Sequence, residues 1–253
     1  MSTTASGYSV EVRFVGSGDA FGSGGRWQTC IQVTGDGQVL LVDCGATSLA
    51  ALKAQGVDPA VISGVAITHL HGDHFGGLPF LILDGQFSGR SAPLRIAGPP
   101  GTAARLAKSM EVLFPGSSSV RRRFPVQVTE LQTDGAPAGL GAAVVRGWQV
   151  DHASGGPPLA LRIDLGGVSF GYSGDSQWTP ALADAARGAD LFAVEAYTFA
   201  RPIRYHLDYA TLRAHLGELQ AKRVVLTHMS ADMLSRRAEV DLETAHDGLI
   251  IQV

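Results

Sequence analysis

The sequence predicts an α/β protein, a single domain over residues 1–253 in which two β-sheets carry helices on their outer faces. Three observations lead there. Strand-like stretches dominate the first half, strands alternate with helices in the second, and no linker-like stretch divides the two. Thirty-two glycines among 253 residues favour turns and close backbone approaches over long helices. A chain of this length buries roughly three quarters of its unfolded surface, so it needs no disulfide staples.

The elements follow in order. Residues 10–15 alternate apolar and polar and read as a first strand; 30–33 follows a glycine-rich loop, and 38–42 follows the turn Gly35-Asp36-Gly37. Residues 48–55 read as a helix ended by Gly56, and Asp58-Pro59 as a capping residue with proline in the first turn. A short apolar strand at 64–68 precedes a histidine-rich cluster, and a helix begins in Leu78-Pro79-Phe80-Leu81-Ile82-Leu83. A strand at 94–97 and an amphipathic helix at 101–114 come next, then strands at 126–131, 143–150, 159–165 and 168–172. Helices at 180–186 and 209–219 alternate with strands at 191–195 and 223–227, and 249–253 is a closing strand. No internal repeat is visible.

Composition weighs against several functions. A net charge of −3 carries no polyanion-binding signature, which weighs against a dedicated nucleic-acid binder. The two cysteines, Cys30 and Cys44, are too few for a disulfide framework and predict buried thiols in a reducing compartment. Residues 1–6 lack the basic start and apolar core of a secretory signal, and no apolar run approaches the ~20 residues that cross a bilayer. The expectation is a soluble, cytoplasmic protein.

The chemistry gathers in Thr68-His69-Leu70-His71-Gly72-Asp73-His74. In an extended segment alternate side chains share a face, so His69 and His71 can reach one metal together. The turn at Gly72 then lets Asp73 and His74 project toward a second. Imidazole with carboxylate suits zinc, with manganese or iron as substitutes. The remaining ligands have three candidates at or just beyond strand ends: His152, Asp175 and His228. Asp175, between Gly174 and Ser176, is placed to bridge two cations, one carboxylate oxygen to each.

The His-x-His-x-Asp-His cluster, the later single His152, Ser173-Gly174-Asp175 and Leu226-Thr227-His228 resemble the metallo-β-lactamase superfamily. The resemblance implies a four-layer αβ/βα sandwich with a dinuclear site at one edge of the two sheets. It implies that His69, His71 and His152 hold one ion, that Asp73, His74 and His228 hold the other, and that Asp175 bridges them. Asp43, in Leu41-Val42-Asp43-Cys44-Gly45, matches an acidic residue that orients a ligand histidine. Within the superfamily the chain is most similar to the ribonuclease Z group and its phosphodiesterase relatives. The segments carrying this are Gly16-Ser17-Gly18-Asp19-Ala20-Phe21 with Arg26, the stretch Val194-Glu195-Ala196-Tyr197-Thr198-Phe199 with His206-Leu207, and Leu226-Thr227-His228-Met229-Ser230. That resemblance implies His206 as proton donor to the leaving group, oriented by Glu195.

One departure matters. Asp175 follows His152 by only 23 positions, which leaves no room for the long arm with which ribonuclease Z clamps transfer RNA. The basic run Arg121-Arg122-Arg123 lies elsewhere and reads as a solvated loop. The expected substrate is therefore a small phosphodiester or related ester rather than transfer RNA. Two ions about 3.5–4 Å apart would hydrolyse it through a bridging hydroxide, with Asp73 helping to orient that nucleophile. Backbone amides at Phe75-Gly76-Gly77 are expected to assist an anionic substrate. Two alternatives stay open: a lactone, thioester or β-lactam hydrolase on the same scaffold, and a non-catalytic metal-binding or RNA-associated protein. Resemblance to dimeric relatives implies a homodimer. His215 and His246 match no motif and read as structural or surface residues.

Overall fold

A computed structural model describes residues 10–253, so the reading of residues 1–6 lies outside the described residues. Strand β1 (Glu11–Gly16) pairs antiparallel with β2 (Cys30–Gly35), and β2 with β3 (Gln38–Val42). Beyond β3 the pairing turns parallel. Helix α1 (Ser48–Ala54) leads to β4 (Ile62–Ala66), α2 (Gly72–Phe75) and α3 (Leu78–Phe87) lead to β5 (Leu94–Gly98), and α4 (Thr102–Leu113) leads to β6 (Val126–Glu130). Parallel neighbours require such crossovers, which is why helices appear where the pairing changes.

The second sheet repeats the plan. An antiparallel meander of β7 (Ala138–Leu140), β8 (Ala143–Gln149), β9 (Leu159–Leu165) and β10 (Val168–Tyr172) comes first. Parallel strands follow: α5 (Pro180–Ala186) leads to β11 (Leu191–Glu195), α6 (Tyr209–Leu219) to β12 (Val224–Thr227), and α7 (Ala231–Ser235) to β13 (Glu243–Thr244). Strand β14 (Ile250–Gln252) returns to the first sheet beside β1. Strands β7 and β13 and helix α7 carry no signature in the sequence. Each has two to five residues, too few for a period to show.

Four layers need three apolar interfaces, and three are present. Val12, Phe14, Ile31, Val33, Leu40 and Val42 of the first sheet meet Val145, Leu161, Ile163, Phe170 and Tyr172 of the second. The outer face of the first sheet, with Cys30, Leu41 and Val65, packs on Leu52, Leu78, Ile82 and Leu106 of the helices. The outer face of the second, with Phe192, Val194 and Leu226, packs on Leu182 and Leu212. Successive residues of β3 therefore bury opposite faces, Leu40 and Val42 inward and Leu41 outward, and residues 39–42 read as an unbroken apolar run. Cys30 and Cys44 are buried free thiols, and burial pushes the Cys30 thiol up to about 12. Among the described residues no helix is long and apolar enough to cross a membrane.

This arrangement positions the site. The carboxyl ends of β3 and β4 lie at one edge of the first sheet, and those of β10, β11 and β12 share an edge of the second. Side chains on the loops leaving those ends converge while the strands stay rigid. Two glycines make the convergence possible. A Cβ on Gly45 would sit 2.2 Å from the Asp73 carbonyl oxygen, so only glycine lets the loop after β3 touch the histidine cluster. Gly174 adopts a left-handed φ of 58° that turns the chain between β10 and Asp175.

Candidate metal centre and proton donor

The histidine cluster leaves β4 in an extended path, and Asp43 holds it there. The Asp43 carboxylate accepts the Thr68 amide and the Thr68 hydroxyl, each at 2.8 Å, and the Nδ1–H of His74 at 2.6 Å. Because the Thr68 hydroxyl donates to Asp43, it accepts from His69 Nδ1 at 3.0 Å. Both imidazoles thus carry their proton on Nδ1 and turn the Nε2 lone pair inward. His152 is set the same way, with Nδ1 donating to the Tyr205 carbonyl at 2.9 Å.

Two donor groups result. His69, His71 and His152 converge on one point, with His152 Nε2 3.1 Å from His71 Nδ1. Asp73, His74, Asp175 and His228 converge on a second, where His74 Nε2 lies 3.3 Å from His228 Nε2, 3.3 Å from Asp73 Oδ2 and 3.2 Å from Asp175 Oδ1. Asp175 faces both: its Oδ2 lies 4.0 Å from His69 Nε2. All seven residues expected as metal ligands from the sequence are brought together in these two groups.

Observations within the site fit divalent cations there. His69 Nε2 and Asp175 Oδ1 are buried and have no hydrogen-bond partner. Buried polar atoms without partners are costly, and a metal ion relieves them. Nitrogen and oxygen donors mixed in this way suit zinc. Charge points the same way. Burial alone would push His228 and His74 down, but the surrounding carboxylates, Asp175 foremost, raise His228 to about 10 and His74 well above its ordinary value. Burial opposes ionisation of Asp175, yet His228 and His74 hold it well below the usual carboxylate range. The pocket is rich in anionic oxygen and calls for positive charge.

A third group adjoins the second. Glu195, the last residue of β11, is fully buried, and its Oε1 accepts from His206 Nδ1 at 2.5 Å. Its Oε2 accepts the Ser176 and Leu207 amides at 3.0 and 3.1 Å. His206 remains partly exposed, stacks on Tyr197 at 4.6 Å and lies 4.0 Å from Asp175 Oδ2. Burial would lower its pKa, but the hydrogen bond and charge of Glu195 win and raise it. The structure therefore places the expected Glu195/His206 pair beside the second donor group.

One expectation fails. The amides of Phe75, Gly76 and Gly77 donate to the carbonyls of His71, Gly72 and Cys44 at 2.8–2.9 Å, so none is free for an anionic substrate. The chain there is already in helical turns, with Gly77 tied to the loop after β3.

Tyr205, Ser17 and Asp247 contribute to the site without any role assigned to them from the sequence. Of the five non-glycine residues with positive φ among those described, Asp43, Tyr205 and His228 are all at the site. Such backbone costs of order 1–3 kcal/mol per residue and persists where its surroundings impose it. For His228 the restraint is the Ser17 carbonyl, which accepts the His228 amide at 3.1 Å. Ser17 is held in turn by Asp247, whose carboxylate accepts the Ser17 amide and hydroxyl and the Trp27 amide at 2.8–2.9 Å. The residues are 230 positions apart, and no local signal links them. His215 stacks on Trp178 and binds Glu218, away from both groups, and His246 is exposed.

A family model described as Anti-Pycsar protein Apyc1 matches residues 10–250. The chain belongs to this family. The Apyc1-family chain is also 30% identical to a ribonuclease Z of Mycobacterium marinum over 190 residues, covering 71% of this chain and 68% of that one. Among solved structures, the metallo-β-lactamase fold protein YhfI from Bacillus subtilis superposes with a TM-score of 0.78 at 20% identity, covering 97% of this chain and all of that one. The short form of human tRNase Z superposes with 0.76 at 24% identity, covering 95% and 98%. This Apyc1-family protein is a ribonuclease Z-like, metal-dependent hydrolase with the metallo-β-lactamase fold.

Replacing Asp43 by alanine would strip the orienting partners from Thr68 and His74 while leaving every donor atom in place. The expected result in the Apyc1-family chain is a 10–100-fold loss of metal affinity. Competition against a chromophoric chelator measures it; unchanged affinity would show that the histidines orient themselves.

Proposed function

We propose that the chain is a dinuclear-metal phosphodiesterase acting on small phosphodiesters. The observation that carries this reading is the Glu195/His206 pair beside the second donor group. Hydrolysis of a phosphodiester expels an alkoxide that needs a proton, and a partly exposed imidazolium stabilised by a buried carboxylate is suited to supply it. His206 keeps one proton on Nδ1 against Glu195 and offers the other from Nε2. Opening a lactone or β-lactam has no evident need for this pair.

His69, His71 and His152 would hold one ion, and Asp73, His74 and His228 the other, with Asp175 between them. Two divalent ions held there, zinc or else manganese or iron, would activate water as the nucleophile and offset charge building on the phosphoryl oxygens. Asp73, whose Oδ2 stands 3.3 Å from both His74 Nε2 and His228 Nε2, would also orient the nucleophile. Between His152 and Asp175 lie only a loop and the β9–β10 hairpin, which supports a small substrate over transfer RNA. Two free buried thiols support a reducing, cytoplasmic setting, and resemblance to dimeric relatives supports a homodimer.

A panel of substrates tests the proposal on metal-loaded protein. Turnover is expected with bis(p-nitrophenyl) phosphate and 3′,5′-cyclic nucleotides, and none with nitrocefin or acyl-homoserine lactones. Turnover confined to the carbonyl substrates would overturn it, and a preference for precursor transfer RNA would overturn the small-substrate reading.

A further inference from the structure

Tyr205 and His206 are consecutive in the chain, yet they serve different parts of the site. The Tyr205 carbonyl accepts His152 Nδ1 at 2.9 Å, and His206 Nδ1 donates to Glu195 Oε1 at 2.5 Å. A tight turn lets these neighbours face two ways. The His206 amide donates to the Ile203 carbonyl at 3.1 Å, which puts Tyr205 at the third position of a four-residue turn, with a φ of 71°. Positive φ at that position ordinarily takes glycine or asparagine, and a bulky side chain adopts it only under restraint.

The restraint comes from another loop. Gln177, two residues beyond Asp175, accepts the Tyr205 amide on its Oε1 at 3.4 Å, and its Nε2 donates to the Asp151 carboxylate. Tyr205 is thereby gripped on both sides, its amide by Gln177 and its carbonyl by His152. Gln177 is itself fixed. Its backbone amide donates to the Asp151 carbonyl at 3.2 Å, and the Asp151 amide donates to the Ser176 hydroxyl oxygen at 3.1 Å. One side chain therefore joins the three loops that carry His152, Asp175 and His206. A primary amide suits this place because it donates at one end and accepts at the other. The 3.4 Å contact is long for a strong hydrogen bond, so it contributes direction more than strength.

We propose that Gln177 is a positioning residue that holds Tyr205 in its left-handed conformation, so that one stretch of backbone sets His152 in the first donor group and His206 beside Glu195. The proposal rests on the reading of the donor groups as metal sites and does not need the substrate to be a phosphodiester.

The probe is cobalt(II), titrated into the chain stripped of metal and followed by visible absorption and calorimetry. Wild type is expected to show two binding steps, and His152→Ala marks the step of the first donor group by losing it. Gln177→Leu, which keeps the bulk and removes both side-chain hydrogen bonds, should weaken that same step about 10–100-fold and leave the other unchanged. Exchanging donor and acceptor separates positioning from a general loss of fold. Gln177→Glu sets one carboxylate against another and should weaken the same step. Asp151→Asn keeps an acceptor for Gln177 and should bind cobalt as wild type does. The double variant, Gln177→Glu with Asp151→Asn, again opposes a donor to an acceptor and keeps an oxygen for the Tyr205 amide, so it should recover the step. On a diester with an alkoxide leaving group, kcat should follow the same order, because His206 moves with Tyr205.

A Gln177→Leu variant that weakens neither step, or both alike, overturns the positioning role. So does a double variant that binds no better than Gln177→Glu alone. A wild type that takes up fewer than two cobalt ions removes the metal reading and the proposal with it. Recovery of the cobalt step by the double variant, in a protein that hydrolyses no phosphodiester, would sustain Gln177 in its role and remove the phosphodiesterase reading.

Discussion

An Asp175→Ala variant is expected to hold at most about one metal ion per chain and to lose about 10³-fold or more in turnover of a phosphodiester, in proportion to the several kcal/mol that such ions contribute. Asp175 looks toward both donor groups, with Oδ1 3.2 Å from His74 Nε2 and 3.5 Å from His228 Nε2, and Oδ2 4.0 Å from His69 Nε2. Removing it takes a ligand from each. It also removes a buried carboxylate from beside His74 and His228, so some stability should go with it. Asp175→Asn, which keeps the volume and a single neutral oxygen donor, separates the two effects. Elemental analysis of the purified variants with their melting temperatures gives the answer. Two ions per chain and near wild-type rates in Asp175→Ala would remove Asp175 from the centre.

A His206→Ala variant should keep its metal and lose about 10²–10⁴-fold in kcat on a diester with an alkoxide leaving group. The loss should be far smaller for bis(p-nitrophenyl) phosphate, whose p-nitrophenolate departs without a proton. An equal loss on both would mean that His206 positions substrate instead of protonating the leaving group. Glu195→Gln tests the same pair by pH. Burial, the largest influence on His206, pushes its pKa down, and the Glu195 hydrogen bond and charge raise it above the ordinary value. The acid form therefore persists to higher pH in the wild type than an isolated histidine would allow. Without the carboxylate, the alkaline limb of the pH–rate profile should move to lower pH. Metal content must be measured alongside, because Glu195 Oε1 also lies 3.4 Å from His228 Nδ1.

Much of this site could be read along the chain because its parts are local. Four donors within His69 to His74 need no folding to be seen together, and alternation in an extended segment already separates them into two directions. The strands were legible for a related reason: β3 is buried on both faces toward its end, and its residues 39–42 are all apolar. His152, Asp175 and His228 could be picked out because each follows an apolar strand. Residue type and strand position thus marked which donor atoms stand at the strand ends.

Their convergence is another matter, because it depends on which strands pair and on backbone geometry that no single segment specifies. The amides of Phe75 to Gly77 stood at a helix start and looked free, and Gly77 is consumed by a carbonyl 33 positions earlier, in the loop after β3. The left-handed backbone at His228 is imposed by Ser17, and Ser17 is fixed by Asp247 from the far end of the chain. Gln177 stands in no motif, and only the fold sets it between Asp151 and Tyr205. Side-chain chemistry travels with the residue, whereas hydrogen-bond satisfaction and exposure are properties of neighbours brought close in space.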